Sequence, residues 1–142
     1  MTQSARWPRP KPGDIVWCRF PEDLATGPGP KPRPALVLAV GDIEGEIAVE
    51  VAFGTSQKTS RLYSGEFLIE PQDGDAFRTA GLSYATKFNL AKRLELPYIA
   101  EWFAVAPGTP FGQTPKLGIL HPSLIRRARS AFECRRRSTT KR

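Results

Sequence analysis

The sequence predicts a mainly β fold, a small barrel of short strands with an amphipathic helix at its C-terminal end. Three observations point there. Apolar and polar residues alternate along 47–57 and 86–96, which is the period of a half-buried strand. Pro and Gly are frequent, 14 and 12 of 142 residues, so the elements between them are short and the turns many. Only after Pro122 does the apolar spacing become helical, through Leu124, Ile125, Ala128, Ala131 and Phe132. The length favours a single domain with one hydrophobic core.

Residues 1–12 mix Pro and Trp with basic residues and lack periodicity; they read as a flexible lead-in from which Trp7 is suited to dock. Gly13-Asp14 is a turn, and 15–20 form the first strand. Val16, Cys18 and Phe20 share one face and Ile15, Trp17 and Arg19 the other, so this strand is expected to be covered on both sides. Residues 21–32 are a Gly/Pro loop, ending GPGPKP, unsuited to a helix or a central strand. It delivers Lys31 and Arg33 to a buried strand over 31–40, KPRPALVLAV, entered through Arg33-Pro34. The segment 41–45, GDIEG, has hairpin chemistry. In the partner strand, 47–57, Ile47, Val49, Val51 and Phe53 alternate with Ala48, Glu50 and Ala52 before a polar end at Thr55-Ser56-Gln57.

A connection over 59–65 leads to a short strand at 66–69 and a turn at 71–75. Residues 77–85 suit a short helical turn or a loop. The stretch 86–96 alternates Phe88, Leu90, Lys92, Leu94 and Leu96 on one face with Lys87, Asn89, Ala91, Arg93 and Glu95 on the other, which favours a strand with a polar face; a helix competes, since its Ala, Lys, Leu and Glu are helix formers, and Pro97 ends either. Residues 98–116 read as a long surface loop folding back through its aromatics, and 117–120 as a last short strand. Pro122 fits a first helical position, and 123–134 an amphipathic helix with Arg126, Arg127 and Arg129 on its wet side. The single domain then spans 13–134, and 135–142 are a frayed basic tail. This pattern is that of an SH3-like barrel with a capping helix; an α+β sandwich is the alternative.

The net charge of +7 is local. Eight of the 21 basic residues and one of the 14 acidic ones lie from His121 onward, leaving a neutral remainder. Such a tail attracts phosphate without reading sequence, or serves solubility alone. No apolar run reaches transmembrane length and no signal-peptide pattern follows Met1, so a soluble cytoplasmic protein is expected. Two distant cysteines, Cys18 and Cys134, and one histidine, His121, make neither a disulfide framework nor a metal site, and no cofactor is expected. A lone histidine also excludes acid–base catalysis by a pair of histidines within one chain, and its place before Pro122 suits a helix-entry residue.

Chemistry is expected where a cation, Arg33, enters one strand and hydroxyls, Thr55 and Ser56, leave its antiparallel neighbour. The plainer alternatives are a surface arginine beside a proline loop and a turn closed by side-chain hydrogen bonds. Trp17, Trp102 and Phe103 likewise suit the core better than a base-stacking platform.

GDIVW at 13–17, the Gly/Pro loop, KPRPALVLAV at 31–40 and VEVAFGTSQK at 49–58 resemble, in order and spacing, the MazF/PemK family of toxin ribonucleases. The likeness covers residues 13–70, about half the chain. It implies an SH3-like barrel, normally a homodimer, that cuts single-stranded RNA without metal and is neutralised by a cognate antitoxin. By motif, Arg33 matches the family's catalytic arginine and Thr55 its catalytic hydroxyl residue, with Ser56 adjacent. Arg93 and Glu95 are candidates for the acidic or arginine position after a later strand. The Pro-rich stretch 97–115 departs from the compact members.

Metal-free RNA cleavage uses the 2′-hydroxyl as nucleophile. It needs a base for that hydroxyl, an acid for the leaving 5′-oxygen and cationic stabilisation of the phosphorane. Arg33 suits the last role, because a guanidinium binds two phosphate oxygens at once. Thr55 and Ser56 can donate to a non-bridging oxygen, and Glu95 is the candidate base. Lys31, Lys58, Arg61 and Arg93 are the candidate RNA contacts. The competing reading is a non-catalytic SH3-like module that binds nucleic acid or a partner protein.

Overall fold

The two stretches with the clearest strand signature form the centre of the sheet. In the computed structural model, which describes residues 7–21 and 27–140, β2 (Arg33–Ile43) and β3 (Glu46–Thr55) pair antiparallel. Their hairpin turns on Glu44-Gly45 alone, at φ 53° and 85°, the conformation that matches the twist of the flanking strands. Around them lie β1 (Asp14–Cys18), β4 (Glu66–Ile69), β5 (Thr86–Pro97) and β6 (Lys116–Ile119). The order is β4-β5-β3-β2-β1-β6, antiparallel throughout. A short helix α1 (Asp75–Ala80) joins β4 to β5, and α2 (Ile125–Thr140) closes the described chain. The fold is therefore mainly β with a C-terminal helix. The sheet is open: β4 and β6 are its two edges.

The sheet separates two cores, which is why β1 is apolar on both faces. Ile15, Leu36, Ala52, Phe67, Phe88 and Leu117 pack on one side beneath Ala80 of α1 and Ala131 of α2. Val16, Cys18, Val37, Val49 and Val51 pack on the other, beneath Tyr98 and Phe103. Ile15, Val16 and Phe88 are wholly buried, and each such side chain contributes roughly 1.5–3 kcal/mol.

Several expectations are revised by this packing. Residues 7–12 are a docked segment: Trp7 meets Tyr98 edge-on at 5.3 Å, and Arg9 pairs with Asp42 at 3.1 Å. Residues 1–6 of the expected flexible lead-in lie outside the described residues. Residues 98–115 are a loop that folds back through its aromatics, as expected, and cover the second core through Tyr98 and Phe103. The helical turn near residue 77 is α1. Helix α2 continues past Cys134 to Thr140, over most of the expected tail.

Strand β5 holds the largest irregularity. Ala52 faces Arg93 while Gly54 faces Phe88, so residues 89–92 stand opposite Phe53 alone. The Asn89 side-chain oxygen accepts from the Ala91 amide at 2.9 Å and closes this bulge as a turn. Phe88 and Leu90 therefore enter the first core and Leu94 and Leu96 the second, instead of sharing one face.

Candidate functional site at the end of β2 and β3

The hairpin register decides what meets what. Ala35 lies opposite Phe53, the last pair of the hairpin ladder, and Arg33 and Thr55 each follow two residues beyond it. Gly54 makes the approach possible. A Cβ there would lie 2.7 Å from the Phe88 ring and 2.8 Å from the Pro34 carbonyl oxygen, closer than side-chain carbons come. Arg33, Thr55 and Ser56 border one cleft of about 690 Å³, floored by Trp17 and Leu117.

The cleft is also lined by α1 and the segment after it, with Arg78, Ser83 and Tyr84, and by residues 107–111. Helix α1 is held backbone to backbone against β6. Gly118 of β6 sits on the carbonyls of Thr79 and Ala80, and Gly81, at φ 74°, sits on the carbonyl of Leu117; neither leaves room for a Cβ. The cleft so presents two guanidinium groups and several hydroxyls. Among the described residues that line it there is no carboxylate and no imidazole. Thr55 Oγ1 accepts from the Gln57 amide at 3.1 Å, so the turn-closing role is real, and its own O–H stays available to donate.

The remaining predicted residues lie elsewhere. Lys31, Lys58 and Arg61 are exposed and line neither this cleft nor the groove between β4 and α2. Arg61 donates to the Tyr63 hydroxyl at 3.2 Å. Arg93 pairs with Glu50 at 3.7 Å and lies over the Phe132 ring. Glu95 is exposed and opposite Glu50, five residues before Thr55, or roughly 16 Å along a strand. Neither Arg93 nor Glu95 lines the cleft. His121 caps the turn before α2, its Nδ1 accepting from the Ser123 amide at 3.1 Å.

A buried ion pair that the sequence did not reveal braces the cleft. Lys87 stands opposite Thr55, with its Nζ 3.0 Å from Glu66 Oε1 and 2.8 Å from the Arg61 carbonyl oxygen. Glu66 also accepts from the Tyr63 amide at 2.8 Å. Both side chains are over nine-tenths buried, and together they tie down the segment that follows Ser56. The next strand out is anchored in turn: Leu68, opposite Lys87, gives its carbonyl to Arg127 of α2 at 2.8 Å. Arg127 also donates to Asp73 at 3.0 Å, and this hydrogen bond holds the Asp73 carboxyl below its usual range. Burial pushes the Cys18 thiol up to about 12, as befits an inert core residue.

Among the described residues no group of three or more His, Cys, Asp or Glu converges. No helix among them is long and apolar enough to cross a membrane. No protein-family model matches the chain, and no curated protein matches it in sequence.

Proposed function

We propose that the protein is a toxin-type endoribonuclease that cuts single-stranded RNA without metal, the toxin of a toxin–antitoxin pair acting in the cytoplasm as a homodimer. The observation that carries the reading is the meeting of Arg33 with Thr55 and Ser56 at one cleft. The dimer, the antitoxin and the growth-inhibiting role rest on the resemblance of residues 13–70. In this reading the fold is an SH3-like barrel left open between its edges. Phe67 and Ile69 of one edge strand and Leu117 of the other contribute to the same core, as expected of a sheet curled toward closure.

The 2′-hydroxyl gives its proton to solvent as its oxygen bonds to phosphorus, the bond from phosphorus to the 5′-oxygen breaks and that oxygen takes a proton from solvent, so the products carry a 2′,3′-cyclic phosphate and a 5′-hydroxyl. Arg33 binds two non-bridging oxygens and gains most as their charge grows in the phosphorane. Thr55 and Ser56 donate to the same oxygens and hold the phosphate in line with the attacking hydroxyl. Glu95 has no part in this arrangement, given its distance along β5.

Incubation of the purified protein with a long single-stranded RNA in EDTA tests the proposal. The expected result is a limited set of cuts with cyclic-phosphate ends, lost in Arg33→Ala. The second reading, a non-catalytic nucleic-acid-binding module, is favoured by the lack of a carboxylate or imidazole among the described lining residues. Intact RNA, bound with an affinity that falls steeply as salt rises, would establish it instead.

A further inference from the structure

Tyr84 is the most exposed large apolar side chain among the described residues, 72% accessible, and it lines the cleft. Single exposed aromatics are common on protein surfaces and by themselves mean little. Two features set this one apart. The first is its mounting. Leu82, two residues earlier, is buried in the first core, and Thr86 Oγ1 donates to the Tyr84 carbonyl oxygen at 2.8 Å. Gly81 locks the start of the same segment against the Leu117 carbonyl. The ring is carried on a fixed backbone, so a ligand that covers it orders little else.

The second feature is its company. Arg78 of α1 borders the same cleft as Arg33. Its partner is Asp75, in an exposed pair three residues apart on one helix, a kind worth little in water and open to competition by a phosphate. The cleft thus offers two cations from different elements and an exposed aromatic ring. A single-stranded polynucleotide, in which phosphates flank a base, calls for that combination of groups.

We propose that Tyr84 and Arg78 form a second nucleotide subsite in the cleft, with one base of a single-stranded RNA stacked on Tyr84 and a neighbouring phosphate held by Arg78. The inference rests on the reading that the Arg33 end of the cleft takes an RNA phosphate, and it extends that site by at least one nucleotide. Stacking contributes affinity with little base preference, because every base has a π face. The Arg78 contact contributes a salt-dependent increment.

The test uses the full chain and a pool of random-sequence, single-stranded 2′-O-methyl RNA 12-mers, which cannot be cut by 2′-hydroxyl attack. Binding is measured by fluorescence anisotropy over a range of salt concentrations. Tyr84→Ala is expected to weaken binding roughly tenfold with the salt slope unchanged, and Tyr84→Phe to bind like the parent. Arg78→Ala is expected to reduce the slope of log K against log salt by about 0.7, one single-strand phosphate contact. Ultraviolet cross-linking of the pool should attach nucleotide to Tyr84. The exposure of both side chains makes folding of these variants easy to verify by thermal melting. If Arg33→Ala loses affinity while Tyr84→Ala and Arg78→Ala bind like the parent, the subsite is overturned and the Arg33 reading survives. If the parent protein does not bind the pool at all, both fall.

Discussion

The two ends of the β3–β5 ladder carry similar residues and do different work. At one end Thr55 stands beside Lys87, whose ion pair with Glu66 is buried, and beside Arg33 at a cleft. At the other, Glu50 stands beside Glu95, and the Arg93–Glu50 pair is partly exposed. The sequence suggests one site containing residues from both ends. Alternation fixes which face a strand residue takes but not its distance along the strand, and the bulge at 89–92 separates the halves of β5 further. The difference teaches that a charged residue on a polar strand face acquires meaning only from its register partner.

The comparison can be broken most directly at Thr55. Thr55→Val is expected to lower RNA cleavage by about 10²–10³-fold and Thr55→Ser to retain most of it, measured as initial rates on a single-stranded RNA. Equal rates for all three would remove the hydroxyl from the chemistry. Next in size is the contrast between the two ion pairs. Lys87→Met leaves the Glu66 carboxylate buried without its partner and should cost about 3–5 kcal/mol in urea unfolding. Arg93→Met should cost about 1 kcal/mol or less, since its pair is partly solvated. Similar losses at both sites would erase the distinction between the ends.

Gly54→Ala probes the close approach itself. The added carbon meets the Pro34 carbonyl, which is backbone and cannot swing aside, so a loss of about 1–3 kcal/mol is expected, with lower activity as Arg33 and Thr55 move apart. Unaltered stability and rate would mean that the strands have slack there.

The smallest effect concerns the outer brace. The Asp73 carboxyl is held low in the folded state by Arg127, so its contribution is present above the unfolded carboxylate value, about pH 4, and is lost as pH falls through the lower folded value. Asp73→Asn should lower stability at neutral pH by about 1 kcal/mol, or about 4 °C in Tm. It should flatten the acid limb of the stability profile. A pH profile identical to the parent's would show that Arg127 holds α2 through Leu68 alone.

The central hairpin was readable because its signals are local. Alternation fixes the faces of β3, the Arg33-Pro34 entry and the polar end at Thr55 mark strand limits, and a short hairpin then determines the register. The first half of the site follows from that register alone. The second half does not. Arg78 and Tyr84 belong to a helical turn and a short loop without a motif, and they reach the cleft only because two glycines let α1 press on β6. Lys87 looked like one more cation on a wet strand face; nothing in its neighbours announces that Glu66, on another strand, closes over it. The stretch 98–116 has the Pro/Gly punctuation of a loop and folds back through its aromatics as expected; which core Tyr98 and Phe103 cover is a tertiary fact that composition does not carry.

In the proposed function the Arg33 end of the ladder is the catalytic one and the Glu95 end is not. The most direct test is a side-by-side measurement of single-stranded RNA cleavage in EDTA by the parent, Arg33→Ala and Glu95→Ala at equal concentrations of folded protein. The expected result is a loss of about 10²-fold or more in Arg33→Ala and a rate within about twofold of the parent in Glu95→Ala. A Glu95→Ala variant as impaired as Arg33→Ala would contradict it, and would require the two ends of the ladder to act together on the RNA.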